Sequence, residues 1–197
     1  MTDRPAEISE SRMFFFEREA VTLHDFDATG PILDIGGGGE GVIGQLKGAQ
    51  VVAIDPSRRE LEEAPAGPLK IVMDATDLQF LDETFGVVTA FYTLMYINEA
   101  AQRTAVFAEA FRVLTPGGRF VIWDAIVPPR SDPEKDIVVF DLTIKLPEEE
   151  IETGYGMLWP EDGRALTGYV QLAEDAGFEV VSRKDQGHHF TLELRKL

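Results

Sequence analysis

The sequence predicts an α/β fold of the doubly wound kind, a mostly parallel sheet with helices on both faces. Three observations predict it. From residue 31 onward, short apolar runs alternate with helix-like segments, the pattern of a covered parallel sheet. The first run, Pro31-Ile32-Leu33, leads into Asp34 and four consecutive glycines, Gly36-Gly37-Gly38-Gly39, and then a helix-like Val42-Ile43-Gly44-Gln45-Leu46. Strand, tight turn and helix start follow in that order. Finally, Thr115-Pro116-Gly117-Gly118 closes a long helical pattern just before another apolar run, because proline and glycine both stop helices.

The elements follow in order. Residues 1 to 12 read as a loose arm, and Met13 to Val21 as a helix laying the Phe14-Phe15-Phe16 aromatics onto the sheet, as core packing or as a lid. After the glycine turn, Val51-Val52-Ala53-Ile54 is the second strand, closed by Asp55-Pro56-Ser57, with a short charged helix from Arg59 to Ala64. Lys70 to Met73 is the third strand, closed by Asp74-Ala75, and Gly86 to Phe91 the fourth. Asn98 is a candidate cap for a helix from Glu99 to Leu114, which lines Val106, Phe107, Ala110, Phe111 and Leu114 along one face at helical spacing. Arg119 to Trp123 is the fifth strand, ending at Asp124.

Residues 126 to 160 break the rhythm. Two β-like runs, Ile137 to Leu146 and Ile151 to Trp159, flank Pro147-Glu148-Glu149-Glu150 and read as a hairpin, with residues 126–160 inserted as a lid into a single domain of residues 1–197. A last helix, Glu161 to Ala176, ends at Gly177, with Leu166, Val170 and Ala173 spaced for burial. Phe178 to Val181 and Phe190 to Leu194 flank a short turn, as an antiparallel pair would.

Composition excludes several functions. The chain has 197 residues, no cysteine and a formal net charge of −17. Without cysteine there is no disulfide framework, thiolate metal site or cysteine nucleophile. No basic stripe is present, which argues against nucleic acid or an anionic membrane as partner. The apolar runs are shorter than a membrane span needs, and the polar first residues lack the apolar segment of a secretory signal, so a cytoplasmic protein is expected. His24, His188 and His189 read as solvated surface residues, and no convergent metal ligands are evident.

Asp34, Asp55 and Asp74 each follow an apolar strand, so a parallel sheet would bring all three to one edge around one crevice. An acid after the second strand suits the two hydroxyls of a ribose; one after the third can accept from an adenine amine. One beside the glycine turn attracts a cationic group.

With these residues in view, the sequence resembles the class I S-adenosylmethionine-dependent methyltransferases. Ile32-Leu33-Asp34-Ile35-Gly36-Gly37-Gly38-Gly39 is similar to their glycine-rich first motif, Val52 to Ser57 to the second and Met73-Asp74-Ala75 to the third. Phe85 to Ile97 resembles the fourth-strand motif, and Phe111 to Phe120 the proline-glycine signature after the helix. The resemblance covers roughly residues 30 to 125. It implies a Rossmann-like sheet of seven strands whose last strand is antiparallel. It implies S-adenosylmethionine as cofactor, with Gly36 and Gly38 facing its methionine part, Asp34 near its ammonium group, Asp55 on the ribose and Pro56 lining the adenine. Asp74 and Ala75 would meet the adenine edge, and Phe91 would lie under the methionine end. The chain departs from the family at Glu40, where a third glycine is common, and at Gly86, where an acid is common.

Two rival functions stand beside this one. Gly36 to Gly41 also fits the G-x-G-x-x-G turn of NAD(P)-dependent oxidoreductases, although Asp34 would set a like charge beside a pyrophosphate. A protein that binds S-adenosylmethionine without turnover is the other. For a transferase, the reaction is direct displacement at a sulfonium methyl onto a small-molecule acceptor. Candidates for a base, or for acceptor contact, are Tyr92, Tyr96, Asp124 and Tyr155, with Trp159 beside Tyr155 as a wall or as hairpin packing. The protein is expected to act as a monomer or as a homodimer held by the hairpin.

Overall fold

The computed structural model describes residues 9–197. Residues 1–8, most of the expected arm and polar start, lie outside the described residues. In chain order the elements are β1 (Met13–Phe15), β2 (Glu19–Thr22), β3 (Ile32–Ile35), α1 (Val42–Lys47), β4 (Val51–Asp55), α2 (Arg58–Glu63), β5 (Leu69–Val72) and β6 (Phe85–Phe91). They continue with α3 (Ala100–Val113), β7 (Leu114–Ala125), β8 (Ile137–Lys145), β9 (Glu150–Leu158), α4 (Leu166–Asp175), β10 (Phe178–Asp185) and β11 (His189–Lys196). The chain forms two compact units. One comprises Asp25–Ala125 with Leu166–Leu197; the other comprises the described residues up to His24 with Ile126–Ala165.

The larger unit is built on a seven-stranded sheet in the order β10-β11-β7-β6-β3-β4-β5. From β7 to β5 every pairing is parallel, and β11 runs antiparallel to both its neighbours. The α/β fold with an antiparallel last strand is therefore as the sequence predicts. The chain leaves β3 toward β4 and β5, then returns to β6 on the other side of β3. Such a reversal opens a crevice at the carboxyl ends of the central strands.

The core explains why these segments are strands. All four residues of β3 are buried, and β6 buries Phe85, Val87, Val88, Thr89, Ala90 and Phe91. A strand covered on both faces reads as a continuous apolar run. Helix α3 lays Val106, Phe107 and Ala110 against this sheet, with Phe107 edge-on to Phe120 at 5.6 Å. Glu99 is its cap in place of the expected Asn98, whose backbone carbonyl instead accepts from Arg103, and the helix begins at Ala100, one residue later than expected. Val113 ends it, and Gly117 takes a left-handed φ of 76° as the chain turns into β7. The last helix is shorter than expected. It buries Tyr169 and Ala173, and Gly177 stops it at φ 97°. The crossover from β5 to β6 has no helix. Arg112 of α3 pins it instead, donating to the carbonyls of Leu78 and Phe80, while Glu109 accepts from the Leu78 amide.

The smaller unit is a four-stranded sheet around β8. The expected hairpin is present, with β9 antiparallel to β8, but β1 and β2 run parallel to β8 on its other side. The helix expected over Met13 to Val21 is thus two short strands. Phe14 and Phe16 share one side of an extended chain at a period of two: Phe14 packs 5.0 Å from Trp159, and Phe16 stacks 5.0 Å from Phe140. Trp159 is buried, and its indole N–H donates to the Pro128 carbonyl at 2.9 Å. Tyr155 lies half-buried on β9, opposite Phe140. No helix among the described residues is long and apolar enough to cross a membrane.

Candidate functional site

The carboxyl ends of β3, β4, β5 and β6 lie along one rim of the large sheet, because these strands are parallel neighbours. The glycine turn leaves β3 at that rim. Gly36, Gly39 and Gly41 all hold left-handed angles, φ 72°, 58° and 55°, which a side-chain-bearing residue adopts only at a cost. The turn is packed from both sides. A side chain at Gly36 would overlap Thr93, and one at Gly38 would stand 3.0 Å from an Asp55 oxygen and closer still to Glu60.

Asp55 ends β4 and is half-buried beside this turn. Its carboxylate accepts from the amides of Ser57, at 2.7 Å, and Gly38. Burial holds its pKa above the ordinary value, and the two amide hydrogen bonds oppose that rise. Ser57 caps α2 by accepting from the Glu60 amide. Pro56, between these two, is exposed.

Asp34 does not stand at the open end of its strand. It is 2% exposed, beneath the turn, with one oxygen 2.7 Å from where a β-carbon of Gly37 would sit. Its other oxygen accepts from the Thr89 hydroxyl at 2.7 Å. Burial pushes its pKa up to about 7; the Thr89 hydrogen bond lowers it, and the nearby Asp55 carboxylate raises it further.

Two residues beyond β5, Asp74 is exposed and accepts from the amide and the hydroxyl of Thr76, a local turn. Ala75 beside it is half-buried. Phe91 ends β6 nearly buried, 5.1 Å from Tyr92 and 6.4 Å from Trp123 between ring centres. Tyr92 takes a left-handed φ of 46°, and its amide donates to the Trp123 carbonyl at 2.7 Å. Strained backbone of this kind concentrates at functional sites. The segment Leu94–Tyr96 forms a single helical turn. Asp124 is fully buried and fixes it, one oxygen accepting from the Leu94 amide and the other from the Ala125 amide. Tyr96 remains 46% exposed. Partial burial, then the carboxylates of Asp124, Glu40 and Glu60, push its phenol well above the ordinary range, so it stays protonated.

The rim therefore joins Gly36, Gly38 and Asp55 directly, with Asp34 beneath them. Thr89, Thr93 and Glu60 were not foreseen. Thr89 has a legible signal, a hydroxyl in the middle of an otherwise apolar strand. His189, expected in a solvated turn, instead opens β11 and is buried, because the hairpin turn is tighter than the polar run suggested.

Charge and hydrogen bonding decide what this crevice can hold. A pyrophosphate cradle needs free backbone N–H groups. Here the amides of Gly36 and Gly37 donate to Ile54, that of Gly38 to Asp55, that of Gly39 to Glu60 and that of Gly41 to Gly38. Carboxylates line the same turn, so it suits a cationic ligand better than an anionic one. Among the described residues, no group of three or more His, Asp or Glu side chains could hold a metal ion.

Comparison with known proteins agrees with this geometry. The family model described as "Methyltransferase domain" matches residues 33–122. Phosphoethanolamine N-methyltransferase 3 of Arabidopsis thaliana is 27% identical over 189 residues, covering 91% of this chain and 35% of that protein. A ubiquinone/menaquinone biosynthesis C-methyltransferase of Desulfotalea psychrophila is 42% identical over 88 residues, covering 42% of this chain and 35% of that protein. The chain thus spans about a third of the length of these curated relatives. In fold, it is similar to the crystal structure of a SAM-dependent methyltransferase from Methanosarcina mazei, with a TM-score of 0.63 and 20% identity over 87% of this chain and 94% of that one. The cyclase SpnF is similar in the same way, with a TM-score of 0.62 and 15% identity over 86% of this chain and 75% of that one. The match over residues 33–122 and the seven-stranded sheet thus make this chain similar, in that region and in fold, to S-adenosylmethionine-dependent methyltransferases.

Proposed function

We propose that the protein binds S-adenosylmethionine at the rim of β3, β4 and β6 and transfers its methyl group to a small molecule. The observation that carries this reading is the Asp55 carboxylate hydrogen-bonded to the Gly38 amide, beside a turn whose own amides are already engaged. That arrangement leaves an acceptor for hydroxyl groups and a negative surface for a cation, with no nest for phosphates. In this reading Asp55 accepts from the ribose hydroxyls and Pro56 lines the base. Asp74 and Ala75 meet the edge of the adenine. Gly36, Gly38 and Phe91 border the methionine part, and Asp34 supplies negative charge from below.

The cofactor supplies an activated methyl group on a sulfonium. The protein's task is to hold an acceptor in line with it, and positioning of that kind is worth up to about 7–11 kcal/mol of a barrier. Tyr96, exposed just beyond the end of β6, meets the acceptor, whereas Tyr92, also expected at the acceptor, is buried against Phe91 and packs the rim from within. Tyr96, held protonated, serves as a hydrogen-bond donor and not as a base. Asp124 positions the turn that carries Tyr96. By their names, one relative methylates phosphoethanolamine and another is a C-methyltransferase of ubiquinone/menaquinone biosynthesis; a small acceptor fits this range, and its identity is a matter for a metabolite screen read by mass spectrometry.

Cofactor binding has a direct test. At a hundredfold excess over its dissociation constant, a ligand adds about 2.7 kcal/mol of stability, a rise of about 5–10 °C in Tm for a chain of this size. S-adenosylmethionine and its demethylated product should both produce this shift, and NAD should not. Asp55→Ala should abolish it while far-UV circular dichroism is unchanged. A clear shift with NAD alone, or an undiminished shift in Asp55→Ala, would reverse the reading.

A further inference from the structure

We infer that Thr89 is a positioning residue for the cofactor: its hydroxyl donates to Asp34 and keeps that carboxylate charged beneath the glycine turn. The inference rests on the cofactor reading above. Thr89 and Asp34 are register partners on adjacent parallel strands, and both are buried, Thr89 completely. The donor lies 2.7 Å from one carboxylate oxygen, and the other oxygen points up beneath Gly37. From β4 the charged neighbour is Asp55, which opposes ionisation of Asp34, while β6 presents the Thr89 hydroxyl and the turn presents Gly37. The amides of Gly36 and Gly37 are spent on the Ile54 carbonyl.

Asp34 is thus a buried acid that burial drives toward the neutral form and Thr89 draws back toward the charged one, near neutral pH. A charged Asp34 attracts a cofactor with sulfonium and ammonium groups; a neutral one does not. One hydroxyl therefore sets the pH above which the site holds its ligand well. Valine has nearly the shape of threonine and cannot donate, so Thr89→Val isolates the hydrogen bond from the packing. Loss of a hydrogen bond to a charged group is worth about tenfold or more in an equilibrium.

The test is calorimetric titration of S-adenosylmethionine from about pH 6 to about pH 9. In the wild type, affinity rises as pH increases through about 7 and falls again only where the cofactor's own ammonium group, with an ordinary pKa of about 8, loses its proton. Thr89→Val binds about tenfold more weakly near pH 7, with the rise displaced to higher pH; Thr89→Ser restores the wild-type profile. Asp34→Asn, which cannot ionise, binds weakly at every pH and serves equally if Thr89→Val fails to fold. A Thr89→Val profile identical to the wild type, a Thr89→Ser variant as impaired as Thr89→Val, or tight binding by Asp34→Asn overturns this inference alone. A wild type that binds at no pH overturns the cofactor reading as well.

Discussion

Asp34 is kept at a cost. Its ordinary pKa is 3.8, and burial lifts it to about 7 in the folded chain. Between those values the unfolded chain has released a proton that the folded chain still holds. Stability therefore falls as pH rises from about 4 to about 7, and remains at the lower level above that. Replacing Asp34 with asparagine removes this penalty, which the shift sets at a few kcal/mol, less what the new amide loses by imperfect hydrogen bonding. Asp34→Asn is expected to raise Tm at pH 8 by several degrees, about 2 kcal/mol, and to leave it nearly unchanged at pH 5. Thermal melts without cofactor at the two pH values check this. A residue whose removal stabilises the fold is retained for another reason, and binding a cation is the reason this rim offers. The acids of the rim were legible because each follows an apolar run. That Asp34 lies under the turn was not, because its partner Thr89 is 55 residues away and only the β3–β6 pairing brings them together.

Gly86 and Gly168 illustrate how much an element's local fit depends on its neighbours. Gly86 stands near the start of β6, where the register with β7 shifts. A β-carbon there would stand 2.9 Å from the backbone carbonyl of Thr29, which explains why this chain has no acid at that position. Gly168 lies within α4, and a β-carbon there meets nothing within 4 Å. Gly86→Ala should therefore cost about 1–3 kcal/mol by overpacking, whereas Gly168→Ala should gain about 0.5–1 kcal/mol from reduced chain entropy. Chemical denaturation of the two variants, with opposite shifts of midpoint, is the measurement. The same dependence governs what the sequence could reveal of the elements. The strands of the large sheet were legible because continuous apolar runs suit burial on both faces. The arm was not: three consecutive phenylalanines, Phe14-Phe15-Phe16, carry no alternation of apolar and polar residues to mark a strand, and the pairing partner Ile137–Val139 lies far along the chain. The cap slipped from Asn98 to Glu99, and the helix start from Glu99 to Ala100, because no side-chain cap bond marks the end. The bare crossover after β5 depends on Arg112, which no local pattern announces.

At the scale of the whole chain, the relevant quantity is the net charge of −17. Such a charge does little for the fold and much for association, since it attracts cations over a distance that salt shortens. S-adenosylmethionine carries a net positive charge, and its demethylated product carries none. The carboxylates of Asp55, Glu40 and Glu60 add a local field of the same sign at the rim. The protein should therefore favour cofactor over product by an amount that depends on ionic strength. Raising salt from about 0.01 M to about 0.5 M contracts the screening length from about 30 Å to a few ångströms. Over that range, S-adenosylmethionine affinity should fall several-fold while product affinity changes little, and titration calorimetry of both ligands at the two salt concentrations measures the difference. Equal salt dependence would mean that the acidic surface acts on solubility alone, and that discrimination between cofactor and product rests entirely on contacts made inside the crevice.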